Sequence, residues 1–227
     1  MMIRGILFDF IGTTVLEKDP QVINRCFSQA FSDHGVTISQ DFIRNNRGKD
    51  KKEVITRALI QGGYRAELIP SVLASLESYV AKNISNFSVG PGAREIIEHF
   101  ISKDRLVGLG SGLPRETFDR ILHYLEWENI PFHYIGIAAE MERGRPHPDM
   151  IIDMMQKLGL QPREVLKVGD TTADILEGKN AGVFTAAILS GTQATKLLAE
   201  QQPDWMITSL SELKEIVIND VHLQPKI

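Results

Sequence analysis

The chain reads as an α/β protein: a doubly wound parallel sheet of Rossmann-like form, with an all-helical block inserted after the first strand. Three observations predict this. Short apolar runs alternate with amphipathic helical patterns at the start of the chain and again from about residue 88 onward. From about Asp19 to Asn86 the pattern is helical only. Polar residues able to do chemistry stand just after the apolar runs, where an open parallel sheet presents its ligand crevice.

The elements follow in order. Ile3 to Phe8 is an apolar run without helical period and is expected to be the first strand. "QVINRCFSQAFSDHG" puts Val22, Cys26, Phe27 and Ala30 on one helical face, and Gly35 ends it. Further helices fit "SQDFIRN", "DKKEVITRALIQGG" and "SVLASLESYVAKNI". After "FSVGPGAREIIEHF" strands are expected at "RLVGLG", "YIGIA", "VLKVG", "VFTAAIL" and "WMIT". Helices are expected between and after them at "PRETFDRILHYL", "HPDMIIDMMQKLG", "ADILEGKNAG" and "SLSELKEIVI". Apolar strands alternating with helices argue for a sheet covered on both faces. The expected division is a core of residues 1–16 and 88–227 with a helical cap of residues 17–87, hinged near Val15–Pro20 and Phe87–Gly92.

Composition excludes several classes. With 227 residues, 43% hydrophobic and 24% charged, the chain has the balance of a globular protein rather than a disordered one. A net charge of −4 leaves no broad basic surface for a nucleic-acid backbone. No apolar run approaches the roughly 20 residues of a membrane-spanning helix. "MMIRGILFD" runs into a strand pattern without a signal-peptide cleavage site, so a cytoplasmic enzyme is expected. Cys26 is the only cysteine, which excludes an internal disulfide. Oligomeric state stays open, a homodimer included.

Four polar signals follow the strands: Asp9, Ser111, Arg145 in "ERGRPHP", and the pair Asp170 and Asp174 in "GDTTAD". Singly, each has a bland explanation as a turn residue, a helix cap or a loop cation. As an ordered set at strand ends they point to one site. His147 stands between prolines and could line an entrance. His34, His99 and His123 have no partner at metal spacing and read as structural, as do Trp127 and Trp205.

The motifs "FDFIGTT", "GLGSG", "GRPHP" and "KVGDTTAD" resemble, in this order, those of the haloacid dehalogenase superfamily, over essentially the whole chain. The resemblance implies Asp9 as nucleophile, Mg²⁺ held by Asp9, Asp170, Asp174 and the backbone carbonyl of Ile11, and Ser111 and Gly112 at the phosphoryl oxygens. It also implies Arg145 as the cation that offsets their charge. Gly12 and Thr13 would let the loop turn tightly after Asp9. The superfamily's phosphatases carry an acid at the position of Ile11, where general acid–base catalysis contributes roughly 10²–10⁴ in rate.

Three readings accommodate Ile11. Haloacid dehalogenation lacks that acid, but also lacks the acidic pair that "GDTTAD" keeps. A silenced binding protein would also accept Ile11, yet the other site residues keep competent side chains. The third is P–C bond hydrolysis: "FDFIGTTV", "RGKDKKEVITRAL" and "KVGDTTADILEGKNAG" resemble the phosphonatases, in which a cap lysine forms a Schiff base with the substrate aldehyde. That resemblance puts Lys51 at the Schiff-base position and implies a small phosphonate or phosphate substrate, a phosphate monoester being the alternative. Departures are Val54, where phosphonatases have histidine, Leu113, where they have an aromatic residue, and Asp19 near the place of their cysteine.

Lys51 has a local argument as well. Asp50 and Glu53 read as a capping box that sets Lys51 in the first helical turn. The helix terminus, Lys49 and Lys52 would then favour its neutral form, against Glu53. On local evidence alone "KDKK" is more simply a solvated charge run. Arg47 and Lys49 are further candidates to meet a substrate anion.

Overall fold

The computed structural model describes residues 2–218. Six strands form one parallel sheet: β1 (Gly5–Asp9), β4 (Leu106–Ser111), β5 (Tyr134–Ile137), β6 (Val165–Gly169), β7 (Phe184–Ile188) and β8 (Trp205–Ile207). Their order across the sheet is β5-β4-β1-β6-β7-β8, and every neighbouring pair is parallel. After β1 the chain adds strands on one side, then returns to β6 on the other. This makes the carboxyl end of β1 the topological switch point, where such sheets bind ligands.

β1 shows why the sheet is buried on both faces. Ile6 and Phe8 point into the larger apolar cluster, and Leu7 between them points into the smaller cluster with Tyr134, Met150 and Met154. This is the two-residue alternation of a strand. The expected first strand shifts by one to two residues, because backbone pairing with β4 carries on to Asp9 opposite Gly110.

Two further strands, β2 (Val15–Glu17) and β3 (Phe87–Val89), pair antiparallel, with Val15 opposite Val89 and Glu17 opposite Phe87. At three residues each they are too short to show a period. Between them every regular element is helical: α1 (Val22–Ser32), α2 (Gln40–Asn45), α3 (Lys51–Gln61) and α4 (Ile69–Lys82), with two short 3-10 turns. Helix α1 buries Val22, Cys26, Phe27 and Ala30, the face anticipated from its periodicity, and Phe31 as well. These residues join the same apolar cluster as Phe8, and Phe10 meets the Phe118 ring at 4.5 Å.

Helices α5 (Ala93–Ser102), α6 (Arg115–Tyr124), α7 (Asp149–Leu158), α8 (Thr172–Ala181), α9 (Thr195–Glu200) and α10 (Leu213–Ile218) alternate with the sheet strands. The sequence pattern did not anticipate α9, which has one buried residue, Leu198. Among the described residues no helix is long and apolar enough to cross a membrane.

Candidate active site

β1 carries Asp9 to the switch point, and the loop after it turns back sharply. Gly12 adopts φ +101°, and a Cβ there would stand 2.3 Å from Asp170 Oδ2. Only glycine lets the two acidic loops approach this closely. Thr13 Oγ1 donates to Asp170 Oδ1 at 3.2 Å, and Thr14 Oγ1 donates to the Asp9 carbonyl at 3.0 Å.

Asp170 follows β6, and Asp174 sits in the first turn of α8. Thr171 caps that helix, and Asp174 Oδ2 accepts from the Thr171 hydroxyl at 2.5 Å and from its N–H at 3.2 Å. This reciprocal capping fixes one oxygen of Asp174. The other, Oδ1, is buried without a hydrogen-bond donor. Oxygens of Asp9, Asp170 and Asp174 lie within 4.8 Å of one another.

Arg145, fully enclosed, reaches this group from the loop before α7. Its Nη1 donates to Asp9 Oδ1 at 2.5 Å and lies 3.0 Å from Asp174 Oδ1, while its Nε lies 3.0 Å from Glu177 Oε2. Lys167, on β6, faces Asp174 Oδ1 at 3.0 Å and Glu177 Oε2 at 3.2 Å. Several of these contacts are ion pairs whose angles fall short of hydrogen bonding. The cluster thus holds four carboxylates, Asp9, Asp170, Asp174 and Glu177, against two cations, Arg145 and Lys167. A buried excess of negative charge is costly unless compensated. The all-oxygen donor set of Asp9, Asp170 and Asp174 fits a hard divalent cation.

Protonation follows from this imbalance. Burial, reinforced by Asp174 and opposed by Arg145 and Lys167, raises the Asp9 carboxyl to about 7. Burial and Asp174 also raise Asp170, against hydrogen bonds from Thr192. Burial would raise Asp174 too, but Lys167 and Arg145 outweigh it and hold the group below the ordinary carboxylate range.

The insert covers the site. Asp9, Ser111 and Gly112 on the sheet side share one cavity with Ile23, Arg47 and Lys51 on the helical side, and Ile11 lines it between them. Lys51 N–H donates to the Gly112 carbonyl at 3.2 Å. A Cβ on Gly112 would lie 2.5 Å from the Lys49 carbonyl oxygen, so the insert seats directly on the loop after β4. Ser111 Oγ accepts from Leu113 N–H at 3.1 Å, a local turn that fixes the hydroxyl.

Asp50 caps α3, its Oδ1 accepting from Glu53 N–H at 2.7 Å. Lys51 then turns inward, 9% exposed, and its Nζ donates to the Lys49 carbonyl at 2.9 Å. Its pKa falls to about 8, through burial first and then Arg47. The lysine neighbours invoked from sequence are not among the leading causes. Lys52 is exposed, and Lys49 points its Nζ to Asn46 Oδ1 rather than into the cavity. His147 is exposed and outside the cavity lining.

Sequence reasoning missed Lys167, Glu177, Thr171 and Thr192. The first two had a signal: a lysine inside an apolar strand, and an acid three positions after Asp174 on the same helical face. Thr171 stood three before Asp174 as a cap pattern. Thr192, whose N–H and hydroxyl both donate to Asp170 Oδ2, had none.

A parallel sheet with a buried acid–cation cluster at its switch point defines a doubly wound α/β enzyme with a divalent-cation type of acidic site. The chain belongs to the haloacid dehalogenase-like hydrolase family, whose model matches residues 6–188. It is 26% identical over 232 residues to a phosphonoacetaldehyde hydrolase from Bacillus cytotoxicus, covering 96% of this chain and 87% of that one. A solved phosphonoacetaldehyde hydrolase-like protein from Oleispira antarctica superposes with a TM-score of 0.82 at 20% identity, over 96% of this chain and 92% of that one. A predicted phosphoglycolate phosphatase from Haemophilus somnus gives 0.80 at 20% identity, over 95% and 98%. At these identities the two structures establish the fold alone.

Proposed function

We propose that the protein is a Mg²⁺-dependent, phosphonatase-like hydrolase that cleaves the P–C bond of a small phosphonate through an aspartyl-phosphate on Asp9, with residues 17–87 acting as its cap. The observation that carries this reading is the burial of Lys51 in the same cavity as Asp9, with Ile11 where a proton-donating acid would otherwise stand. An amine drawn toward neutrality is a nucleophile for a carbonyl. The protonated imine it forms draws electrons from the P–C bond, so the leaving carbon needs no acid at position 11.

Each side chain has a role in this scheme. Asp9 attacks phosphorus. Arg145 orients Asp9 and offsets the charge that builds between carboxylate and phosphoryl oxygens. Ser111 and the amides around Gly112 bind the oxygens that do not react. Asp9, Asp170, Asp174 and the carbonyl of Ile11 would hold Mg²⁺, which neutralises charge and polarises the phosphoryl group when bound. Lys167 and Glu177 keep Asp174 and Arg145 in register.

The test is a phosphate-release screen of phosphonates and phosphate monoesters, with borohydride trapping. Borohydride with phosphonoacetaldehyde is expected to inactivate the protein and to label Lys51. An unlabelled protein whose Lys51→Ala variant keeps full turnover on its best substrate would be a plain phosphatase.

A further inference from the structure

Arg47 does more in this cavity than neutralise a neighbour. It sits on the loop before α3, 9% exposed, and lines both the enclosed cavity above Asp9 and an outer groove beside Gly12 and Ser190. Its Nη2 donates to Glu17 Oε1 at 2.6 Å and its Nη1 to Asn24 Oδ1 at 3.1 Å. A guanidinium has five N–H donors, so most of its capacity is uncommitted. Glu17, on β2, has a side chain 3% exposed, and α1 supplies Asn24, so two separate elements aim the fork. The phosphoryl end of a ligand belongs to Asp9, Ser111 and Arg145 on the sheet side. Arg47 faces the cavity from the opposite side, together with Lys51, and so meets the carbon portion.

We propose that Arg47 is a specificity-determining residue and that the substrate's carbon portion carries a carboxylate: a β-oxo phosphonate with the carboxylate on its carbonyl carbon. The identity of the phosphonate rests on the phosphonatase-like reading above; the role of Arg47 does not. A fork of parallel N–H donors matches the two oxygens of a carboxylate. A carbonyl beside that carboxylate falls to Lys51, on the same side of the cavity.

The chemistry balances. Lys51 Nζ adds to the carbonyl carbon and water leaves, giving a protonated C=N bond. An Asp9 oxygen bonds to phosphorus as the P–C bond breaks, and the electron pair of that bond forms the enamine C=C. Water opens the aspartyl-phosphate to phosphate. The enamine carbon takes a proton from solvent, and a second water releases a 2-oxo acid and the lysine amine. One water is consumed overall, because imine formation returned the other.

The experiment compares two matched pairs: 3-phosphonopyruvate against phosphonoacetaldehyde, and phosphoglycolate against ethyl phosphate. For each pair kcat/KM is measured in wild type, Arg47→Leu and Arg47→Lys, with folding checked by circular dichroism. Wild type is expected to favour the carboxylated member of the pair it turns over. Arg47→Leu should cut that preference by roughly 10–100-fold, the worth of a charge-assisted hydrogen bond, and Arg47→Lys should restore part of it. Borohydride trapping on Lys51 without added metal should show the same order, 3-phosphonopyruvate ahead of phosphonoacetaldehyde. A variant that loses activity equally on both members, leaving their ratio unchanged, makes Arg47 a strut between β2 and the insert and overturns the inference. Turnover of the phosphate esters alone removes the P–C reading, and the ester ratio then decides the role of Arg47. A wild-type protein inert on all four overturns both.

Discussion

Lys167 Nζ lies 3.0 Å from Asp174 Oδ1, both side chains sealed from solvent beneath the candidate site. Arg145 approaches the same oxygen at 3.0 Å from the other loop. One carboxylate oxygen thus ties β6, α8 and the loop before α7 together. Replacing Lys167 by Met leaves Asp174 and Glu177 sharing a single cation, and removing one partner of a buried pair costs about 3–5 kcal/mol. Urea unfolding should show that loss, with part of it recovered in Lys167→Met/Glu177→Gln. A change below about 1 kcal/mol would make the pair energetically neutral.

The excess of buried carboxylate predicts tight coupling between divalent cation and stability. Mg²⁺ at a hundred times its dissociation constant should stabilise the fold by about 2.7 kcal/mol, read as a rise in the thermal midpoint. Asp170→Asn should abolish that rise, and Asp9→Asn should abolish turnover. Phosphate release that survives chelation would rule out metal assistance.

Lys51 sets a pH dependence whose sign can be worked out. Protonated amine is inert, so trapping follows the neutral fraction, which grows as pH rises. With its pKa lowered to about 8, roughly one Lys51 in ten is neutral at pH 7, against about one in three thousand at the ordinary value. Borohydride trapping should therefore climb through pH 8 and level off above it. A rate still climbing near pH 10 would mean an ordinary, solvated lysine.

Ile11 is half-buried on the cavity wall beside Asp9. Ile11→Asp introduces the acid that a phosphate ester needs for its leaving alcohol. Hydrolysis of monoesters should rise, with about 10²–10⁴ as the ceiling such a group contributes. Unchanged or lower ester turnover would show that the acid's absence is not what limits that reaction.

Gly112→Ala tests how the insert seats. The added methyl meets the Lys49 carbonyl, a backbone atom that cannot swing aside as a side chain would. Displacing the helical side by even an ångström should lower kcat/KM by about a hundredfold while leaving the sheet's unfolding transition in place. Wild-type kinetics in this variant would mean that the contact is dispensable.

The sheet was legible because its strands are buried on both faces, so "VLKVG" and "RLVGLG" stand out as apolar runs between helical periods. The ribbon of β2 and β3 was not, since three residues leave no period to read. Asp9, Ser111, Arg145, Asp170 and Asp174 were visible as polar residues at strand ends, and the fold brings all five to one place. Lys51 was harder. "KDKK" has the composition of a solvated run, and only folding reveals that Asp50 caps the helix and turns Lys51 inward while Lys52 stays in water. Thr192 belongs to no local pattern and reaches Asp170 only because β7 lies beside β6.

The antiparallel register of Glu17 opposite Phe87 bears on how such proteins diversify. Paired strands hold their ends roughly 5 Å apart, so residues 18–86 leave and rejoin the sheet domain at almost one point. A lineage, or an engineer, could exchange that whole excursion for another of any length, or close it with a two-residue turn, without moving a strand of the main sheet. What such an exchange would have to replace is the apolar cover over Phe10 and the side of the cavity that Ile23, Arg47 and Lys51 line across from Asp9.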